Sequence, residues 1–415
     1  MSPPRSAIPT LIRRFLAQQE IVDIHTHLFD PAFDSLLLWG IDELLTYHYL
    51  VAEVIRARPD ISPAAFWKLT KTRQADLVWD ELFIKRTPIS EACRGVITVL
   101  NRLGFGHDLR DLRHPRTYFS RMKPERYVDQ VFDLARIRSV YMTNDPLNPH
   151  EASAWKKGFS RDPRFLATLR LDSALINWPH GAAGLRQLGY DVDRSLSAKT
   201  VNGLRRYLND WADRLDARYM AISLPPSFAY PDESSPLTML FTNTALHVAR
   251  ERSLPVAMML GVKKLVNPAL ALAGDSVGKS DINAVERLAR DFGDIRFLIT
   301  MLARENMHEL CVAARKFSNL IPFGCWWFLN NPSLIREITD MRLELLGLSF
   351  IPQHSDARVL DQLIYKWDHS RRILGDALIT AYEATANAGW RPTPEEIRRD
   401  IHRLLGGGLL TDPAS

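Results

Sequence analysis

The stretch Ile21-Val-Asp-Ile-His-Thr-His-Leu-Phe-Asp30 is an apolar run that ends in two histidines. Ile21, Val22 and Ile24 are β-branched. They lie between a polar Gln18-Gln19-Glu20 and a turn-forming Phe29-Asp30-Pro31. That is the pattern of a short buried strand. His25 and His27 stand two apart at its C-terminal end. Residues i and i+2 of a strand point to one face, so both imidazoles can converge on one point. Two neutral imidazoles on one face suit a divalent metal such as zinc. If the strand opens a parallel barrel, its C-terminal end lies at the mouth, where active sites are built.

Outward from this strand, the spacing predicts a helix over 8–19. Helical patterns then fill 31–136: one over 41–58, one started by Ser62-Pro63, one by Thr87-Pro88, and two more over 110–122 and 124–136. This stretch is too long for one barrel crossover and reads as an inserted helical subdomain. Strands and helices alternate after it. Strands are expected at 139–143, 165–171, 219–224, 255–260, 295–301, 320–328 and 347–352. Helices are expected at 198–217, 281–292 and 358–384, and Thr393-Pro394 with Glu396 makes a capping box for the last one. With the first strand, this alternation implies an α/β fold, a (β/α)8 TIM-type barrel formed by 1–30 and 137–415 with 31–136 inserted. An open doubly wound sheet is the alternative, but no Gly-rich phosphate loop follows any strand.

The bulk properties of the 415 residues exclude several classes. A hydrophobic share of 46% and a charged share of 24% are those of an ordinary globular protein. Apolar runs stop well short of the roughly 20 residues a membrane span needs. Met1-Ser-Pro-Pro-Arg5 has no apolar signal core, and Arg13 and Arg14 break the apolar stretch after it. Cys93, Cys311 and Cys325 are far apart and odd in number, which argues against a disulfide framework and for a reducing cytoplasm. The net charge of +5 comes from scattered lysines and arginines, so nucleic acid is not an expected partner. A small anionic substrate is compatible with it. Assembly of identical chains is compatible with the sequence, which sets no number.

In a barrel, polar residues just after the strand ends share one mouth. That gathers His25 and His27, Asp145, Arg170 with Asp172, and Asp356 with Arg358. Asp356 can join the two histidines on a metal or act as a base. Arg358 can hold a carboxylate with two parallel hydrogen bonds. The plainer reading makes Asp356 the N-cap of the following helix. Asp145 before Pro146 also reads as a turn, and Arg170 as the structural partner of Asp172. His354 and Lys263 sit near strand ends with no role assigned.

Several segments, in order along nearly the whole chain, resemble the uronate isomerase (glucuronate isomerase) family of the amidohydrolase superfamily. They are the His25-Thr26-His27 pair, Tyr47-His48-Tyr49, Thr143-Asn144-Asp145-Pro146, Arg170-Leu171-Asp172, Gly324-Cys325-Trp326-Trp327-Phe328, Ser355-Asp356-Ala357-Arg358 and Arg371-Arg372-Ile373-Leu374. The tryptophan segment and the Asp-x-Arg segment are the most specific. The chain departs from the family pattern at Ile222-Ser223-Leu224-Pro225-Pro226, where an Asp-His-Gly type segment is usual. It departs again at Met258-Met259-Leu260-Gly261, where a histidine precedes glycine, and at Lys366-Trp367-Asp368-His369, where an Arg-His-Glu-Tyr segment stands.

The resemblance implies aldose–ketose isomerisation of a hexuronate through an enediol. One divalent metal, zinc or manganese, would sit on His25, His27 and Asp356. Asp356 would move the proton, with Tyr49 as second choice, and His48 would assist a hydroxyl or ring opening. Arg170 and Arg358 would grip the substrate carboxylate, and Trp326 and Trp327 would line the pocket. His48, Tyr49 and the tryptophans also read as packing residues, the first two mid-helix. The competing function is a metal-dependent hydrolase of an amide, ester or lactone. A remnant without activity is the third. The apolar Leu224 and Leu260 at the middle strand ends favour a single metal, and with it the isomerase.

Overall fold

The computed structural model describes residues 7–411; the Met1–Arg5 segment read above lies outside them. The organising strand, β1, spans Ile21–Thr26 and is buried along its whole length. Six more strands follow: β2 (Ile137–Asn144), β3 (Phe165–Arg170), β4 (Met220–Leu224), β5 (Val256–Leu260), β6 (Phe297–Met301) and β7 (Leu320–Pro322). Each pairs in parallel with the next, so the seven-stranded sheet runs in chain order. Crossover helices make such an order possible, because parallel neighbours cannot be joined by a tight turn. A two-residue antiparallel ribbon, Val262–Lys263 with Ser276–Val277, follows β5.

The period of two sorts the side chains of this curled sheet. Met220, Ile222 and Leu224 of β4, with Val256, Met258 and Leu260 of β5, join the large core under the helices. Tyr219, Ala221, Ala257, Met259 and Leu298 enter a second core on the other face. Both faces are therefore buried, which explains near-continuous apolar strands. Each fully buried Ile, Leu or Met contributes about 1.5–3 kcal/mol. Leu409 and Leu410 join the second core, and Arg138 and Arg296 donate to carbonyls of Gly406, Leu409 and Leu410. The end of the described chain thus plugs the sheet at its strand starts.

Helix Ile8–Gln18 forms as expected, with Ile8, Ile12, Phe15 and Leu16 on its buried face. Ser62 caps helix Pro63–Trp67, and Thr393 with Glu396 forms the capping box of Pro394–Leu405. The helices at 110–122, 124–136, 198–217 and 281–292 appear as Arg113–Ser120, Pro124–Ala135, Ala198–Leu215 and Ile282–Asp291. Some expectations are corrected. The helix over 41–58 is two, Ile41–Leu45 and His48–Ala57, because Tyr47 takes an extended conformation between them. The helix assigned to Thr87-Pro88 starts at Glu91 on a Ser90 cap. The last long helix spans Gln362–Asn387 and starts four residues later than expected, after Asp361.

The expected seventh strand stops at Pro322, and Trp327 takes a left-handed φ of 48° at the start of a short 3-10 turn, Trp327–Leu329. The expected eighth strand at 347–352 forms no ladder. Ile351 makes one parallel bridge to Phe323, through Ile351 N–H to Pro322 O at 3.0 Å and Gly324 N–H to Ile351 O at 2.8 Å. Pro322 and Pro352 have no N–H to extend it. Beyond it, Asp356 N–H donates to His25 O at 3.1 Å and His27 N–H to Ala357 O at 2.7 Å. Residues 351–357 therefore run from β7 to β1.

Candidate active site

That last segment brings Asp356 onto the two histidines. Asp356 Oδ1 lies 3.7 Å from His25 Nε2 and 3.3 Å from His27 Nε2. One ligand atom from each residue falls within 4.8 Å of the other two. His25 is on β1 and fully buried; His27 follows the strand and remains slightly exposed. Burial, and then the charge of its neighbour His27, pushes His25 down to about 3. Burial, followed by the Arg358 and Arg170 charges, holds His27 well below its ordinary value. Both rings are neutral at physiological pH, the form that binds metals.

The tautomer of His25 follows from its neighbours. Tyr219 Oη donates its only proton to Ile24 O at 2.6 Å. His25 Nδ1, 3.2 Å from that oxygen, must then be the donor to it. Nε2 keeps its lone pair and faces Asp356. Both His25 Nε2 and Asp356 Oδ1 are buried without a hydrogen-bond partner. Buried polar atoms left unpaired are costly. A cation at this point would satisfy them, so the donor set fits a divalent metal with imidazole and carboxylate ligands.

Asp356 is held in the left-handed region at φ 52°. Such a conformation costs about 1–3 kcal/mol, less for Asp than for most residues. Its neighbours over-determine it. Ser355 N–H donates to Asp23 Oδ1 at 3.1 Å, and Arg358 N–H to Gln362 Oε1 at 2.8 Å. Asp23 also accepts from Trp367 Nε1 at 2.8 Å, and burial pushes its carboxyl up to about 6. The cap reading of Asp356 is not supported, because the next helix starts at Gln362 and no Asp356 side chain caps it.

The other expected groups surround this centre. Arg170, at the end of β3, donates to Asp172 Oδ1 at 2.9 Å and keeps a buried Nε without partner. Asp172 Oδ2 accepts from Ser223 N–H, so the acid ties β3 to β4. Asp145 accepts from Leu147 N–H at 3.0 Å and from the Ser173 hydroxyl, the turn of the plainer reading. Burial raises it, and pushes Glu151 beside it up to about 8.

His48 and Tyr49 lie in the first turn of helix His48–Ala57, not mid-helix. His48 Nε2 and Tyr49 Oη are both buried without partners. Burial pushes His48 down to about 3 and the Tyr49 phenol well above its ordinary value. The Trp327 ring stands 5.6 Å from His48 and 5.8 Å from Trp326, and all three are at least partly buried. Lys264 Nζ lies 5.0 Å over Trp327 and is paired with Asp275. The charges of Arg358 and Lys264 bear on both His27 and His48. Neutral imidazoles ringed by cations suit an anionic ligand.

Three neighbours carry no sequence signal of their own, and a fourth, His354, has only its place near a strand end. Tyr219 acts on His25 from across the sheet, and Lys264 lies in the turn just after the first strand of the ribbon that follows β5. Lys366 is buried with Nζ 5.9 Å from the Tyr49 ring centroid. His354 is fully buried beside His25, at 5.3 Å between rings, with both nitrogens unpartnered. Its place in Gln353-His354-Ser355-Asp356 was the one available hint.

No protein-family model and no curated protein matches the chain. Solved structures do. A uronate isomerase from Bacillus halodurans is 50% identical over 98% of this chain and 96% of its own, with a TM-score of 0.95. A uronate isomerase from Thermotoga maritima is 14% identical, covering 97% of each chain, with a TM-score of 0.77. A glucuronate isomerase from Caulobacter crescentus is 15% identical over 100% of this chain and 96% of its own, with a TM-score of 0.78. The last two are similar in fold alone; half-identity along both whole chains carries more, and by it this chain belongs to the uronate isomerase family.

Proposed function

We propose that this protein is a metal-dependent hexuronate isomerase that interconverts an aldose and a ketose. One observation carries the reading: His25, His27 and Asp356 converge within 4.8 Å, under the charges of Arg170 and Arg358, in a chain half-identical to a uronate isomerase. A divalent ion there, zinc or manganese, would polarise the substrate oxygens and stabilise negative charge on them.

The protein groups do the rest. Arg358 and Arg170 hold the substrate carboxylate, Arg358 through its two-pronged guanidinium. That grip sets the sugar chain with its reacting carbons beside Asp356. The Asp356 carboxylate takes the proton from the carbon next to the aldehyde and returns it to the aldehyde carbon, while the hydroxyl proton on that neighbouring carbon passes to the former aldehyde oxygen, so that the new carbonyl forms where the hydroxyl stood. Tyr49 serves as a donor and not as a base, because burial keeps its phenol protonated. Neutral His48, with Nε2 unpartnered, hydrogen-bonds a substrate hydroxyl and assists ring opening. Trp326 and Trp327 wall the pocket and keep water out.

The fold reading extends in the same way. Segment 351–357 supplies the eighth stave of a (β/α)8 barrel made of 1–30 and 137–415. Residues 31–136 form the insertion that delivers His48 and Tyr49 to the mouth. A hydrolase with two metals needs further ligands, and among the described residues the candidate cluster has three members only. Three free, buried cysteines fit a reducing cytoplasm. Among the described residues no helix is long and apolar enough to cross a membrane.

The test uses purified protein whose metal content is fixed by elemental analysis. Glucuronate and galacturonate are supplied and ketose formation is followed. A metal-loaded enzyme that turns over neither uronate overturns the proposal. Arg358→Lys is expected to raise KM for the uronate by about tenfold or more while Tm changes little, since an ammonium cannot form the fork. Equal KM values would remove Arg358 from the carboxylate site. Tyr219→Phe is expected to weaken metal binding by about 10–100-fold, because His25 loses the oxygen that fixes its tautomer. Chelator competition reads that affinity, and an unchanged value would sink the assignment.

A further inference from the structure

A cavity lies away from the candidate active site, among helices Ile8–Gln18, Pro124–Ala135 and Gln362–Asn387. It measures about 540 Å³ and is lined by neither Arg170 nor Arg358. Arg13, Arg102, Arg136, Arg371 and Arg372 line it, together with Asp133 and Asp368. Not all the cations are alike. Arg13 pairs with Asp376 at 2.9 Å, and Arg102 stands 3.7 Å from Asp368. Arg371 donates to Leu16 O, Gln19 O, Ala135 O and Arg136 O, and so clamps two helix C-termini. These carbonyls are neutral, and the carboxylate that bears on its charge is that of Asp368. Arg136 reaches only Gln18 O at 3.4 Å. Among the described residues Arg13 and Arg102 are the cavity arginines in ion pairs, while Arg136 and Arg372 are in none and are exposed to solvent. The field is positive enough to act on Arg371 itself, which burial and then the Arg136 and Arg102 charges push down to about 10.

We propose that this cavity is a second anion site, which binds a small dianionic oxyanion, a phosphate ester or a dicarboxylate, between Arg136 and Arg372. Planar guanidiniums recognise either group through parallel charged hydrogen bonds. The anion would supply the counter-charge the cavity lacks. It would also tie the first helix and helix Pro124–Ala135 to helix Gln362–Asn387, which follows the segment carrying Asp356 and Arg358. The Arg371-Arg372-Ile373-Leu374 segment, otherwise without a task at the active site, then has one in each arginine: Arg371 clamps and Arg372 binds.

The test is thermal unfolding of the metal-loaded protein in rising inorganic phosphate, sulfate or succinate, with ionic strength held constant by chloride. A saturable rise in Tm is expected with at least one of them. Phosphate or sulfate alone points to a phosphate ester, and succinate alone to a dicarboxylate. The double variant R136Q/R372Q should weaken the half-saturation by about tenfold or more. Asp368→Asn removes an opposing carboxylate and should tighten it, which keeps the test valid if the double variant folds poorly. Arg358→Gln should leave the effect intact, so failure of the active-site reading and of this one are separable. The proposal falls if no saturable shift appears or if the double variant keeps it. It falls equally if Asp368→Asn does not tighten it or if Arg358→Gln abolishes it, since the anion then sits in the mouth.

Discussion

Asp356→Asn is expected to lower kcat for uronate isomerisation roughly a thousandfold, the scale of losing a positioned proton-transfer group. The substitution isolates the carboxylate unusually well. Asparagine tolerates the left-handed region as aspartate does, so the φ of 52° is kept. The backbone bonds that fix the segment, Asp356 N–H to His25 O and Ser355 N–H to Asp23 Oδ1, do not involve the Asp356 side chain. Its shape is retained as well. What disappears is the negative charge, and with it the proton acceptor and the charged partner of His25 and His27. Bound metal should therefore fall along with kcat. Metal titration of the variant, read beside its kcat at saturating metal, separates the two losses. A variant within tenfold of the parent kcat would show that Asp356 is not the group that moves the proton. Tm of the metal-free proteins should change little, because the backbone bonds that frame the segment stay.

The reach of the sequence has a physical boundary here. β1 to β6 are legible because each is a buried, β-branched or apolar run set between helical periods. The histidine pair is legible because His25 and His27 obey the strand period within a single segment. Asp356 and Arg358 are legible as polar residues after a strand end. The seventh and eighth strands are shorter than their apolar runs, since Pro322 and Pro352 cannot donate and the chain turns at Gly324 and Trp327. The break at Tyr47 is not legible because the helical spacing of apolar residues continues through it. The support of the site was illegible for another reason. Tyr219 sits 194 positions from His25, and Asp23 reaches Ser355 across 332. Such pairs exist only once strand order and register are set. A tyrosine at the start of a strand looks like core packing until the partner ring is known.

Gly324→Ala is the substitution expected to damage stability most, by about 3 kcal/mol or more. Two independent costs add. The residue has φ +64°, where any side chain is strained by about 1 kcal/mol or more. A Cβ built there would lie 1.8 Å from His354 Nδ1 and 2.2 Å from Cε1, far inside contact distance. His354 cannot give way cheaply. Its ring is fully buried, 5.1 Å from Phe323 and 5.3 Å from His25 between centroids. Motion away from Gly324 would press the ring onto its packed neighbours, so metal affinity should drop with stability. The clash and the backbone strain can be told apart by a second substitution. His354→Ala removes the obstructing ring, so the double variant Gly324→Ala, His354→Ala should be destabilised by clearly less than the two single effects added together. Denaturant midpoints of the four proteins give that coupling directly. Simple additivity would mean that the strain at φ +64° accounts for the whole loss and that His354 does not need the space above Gly324.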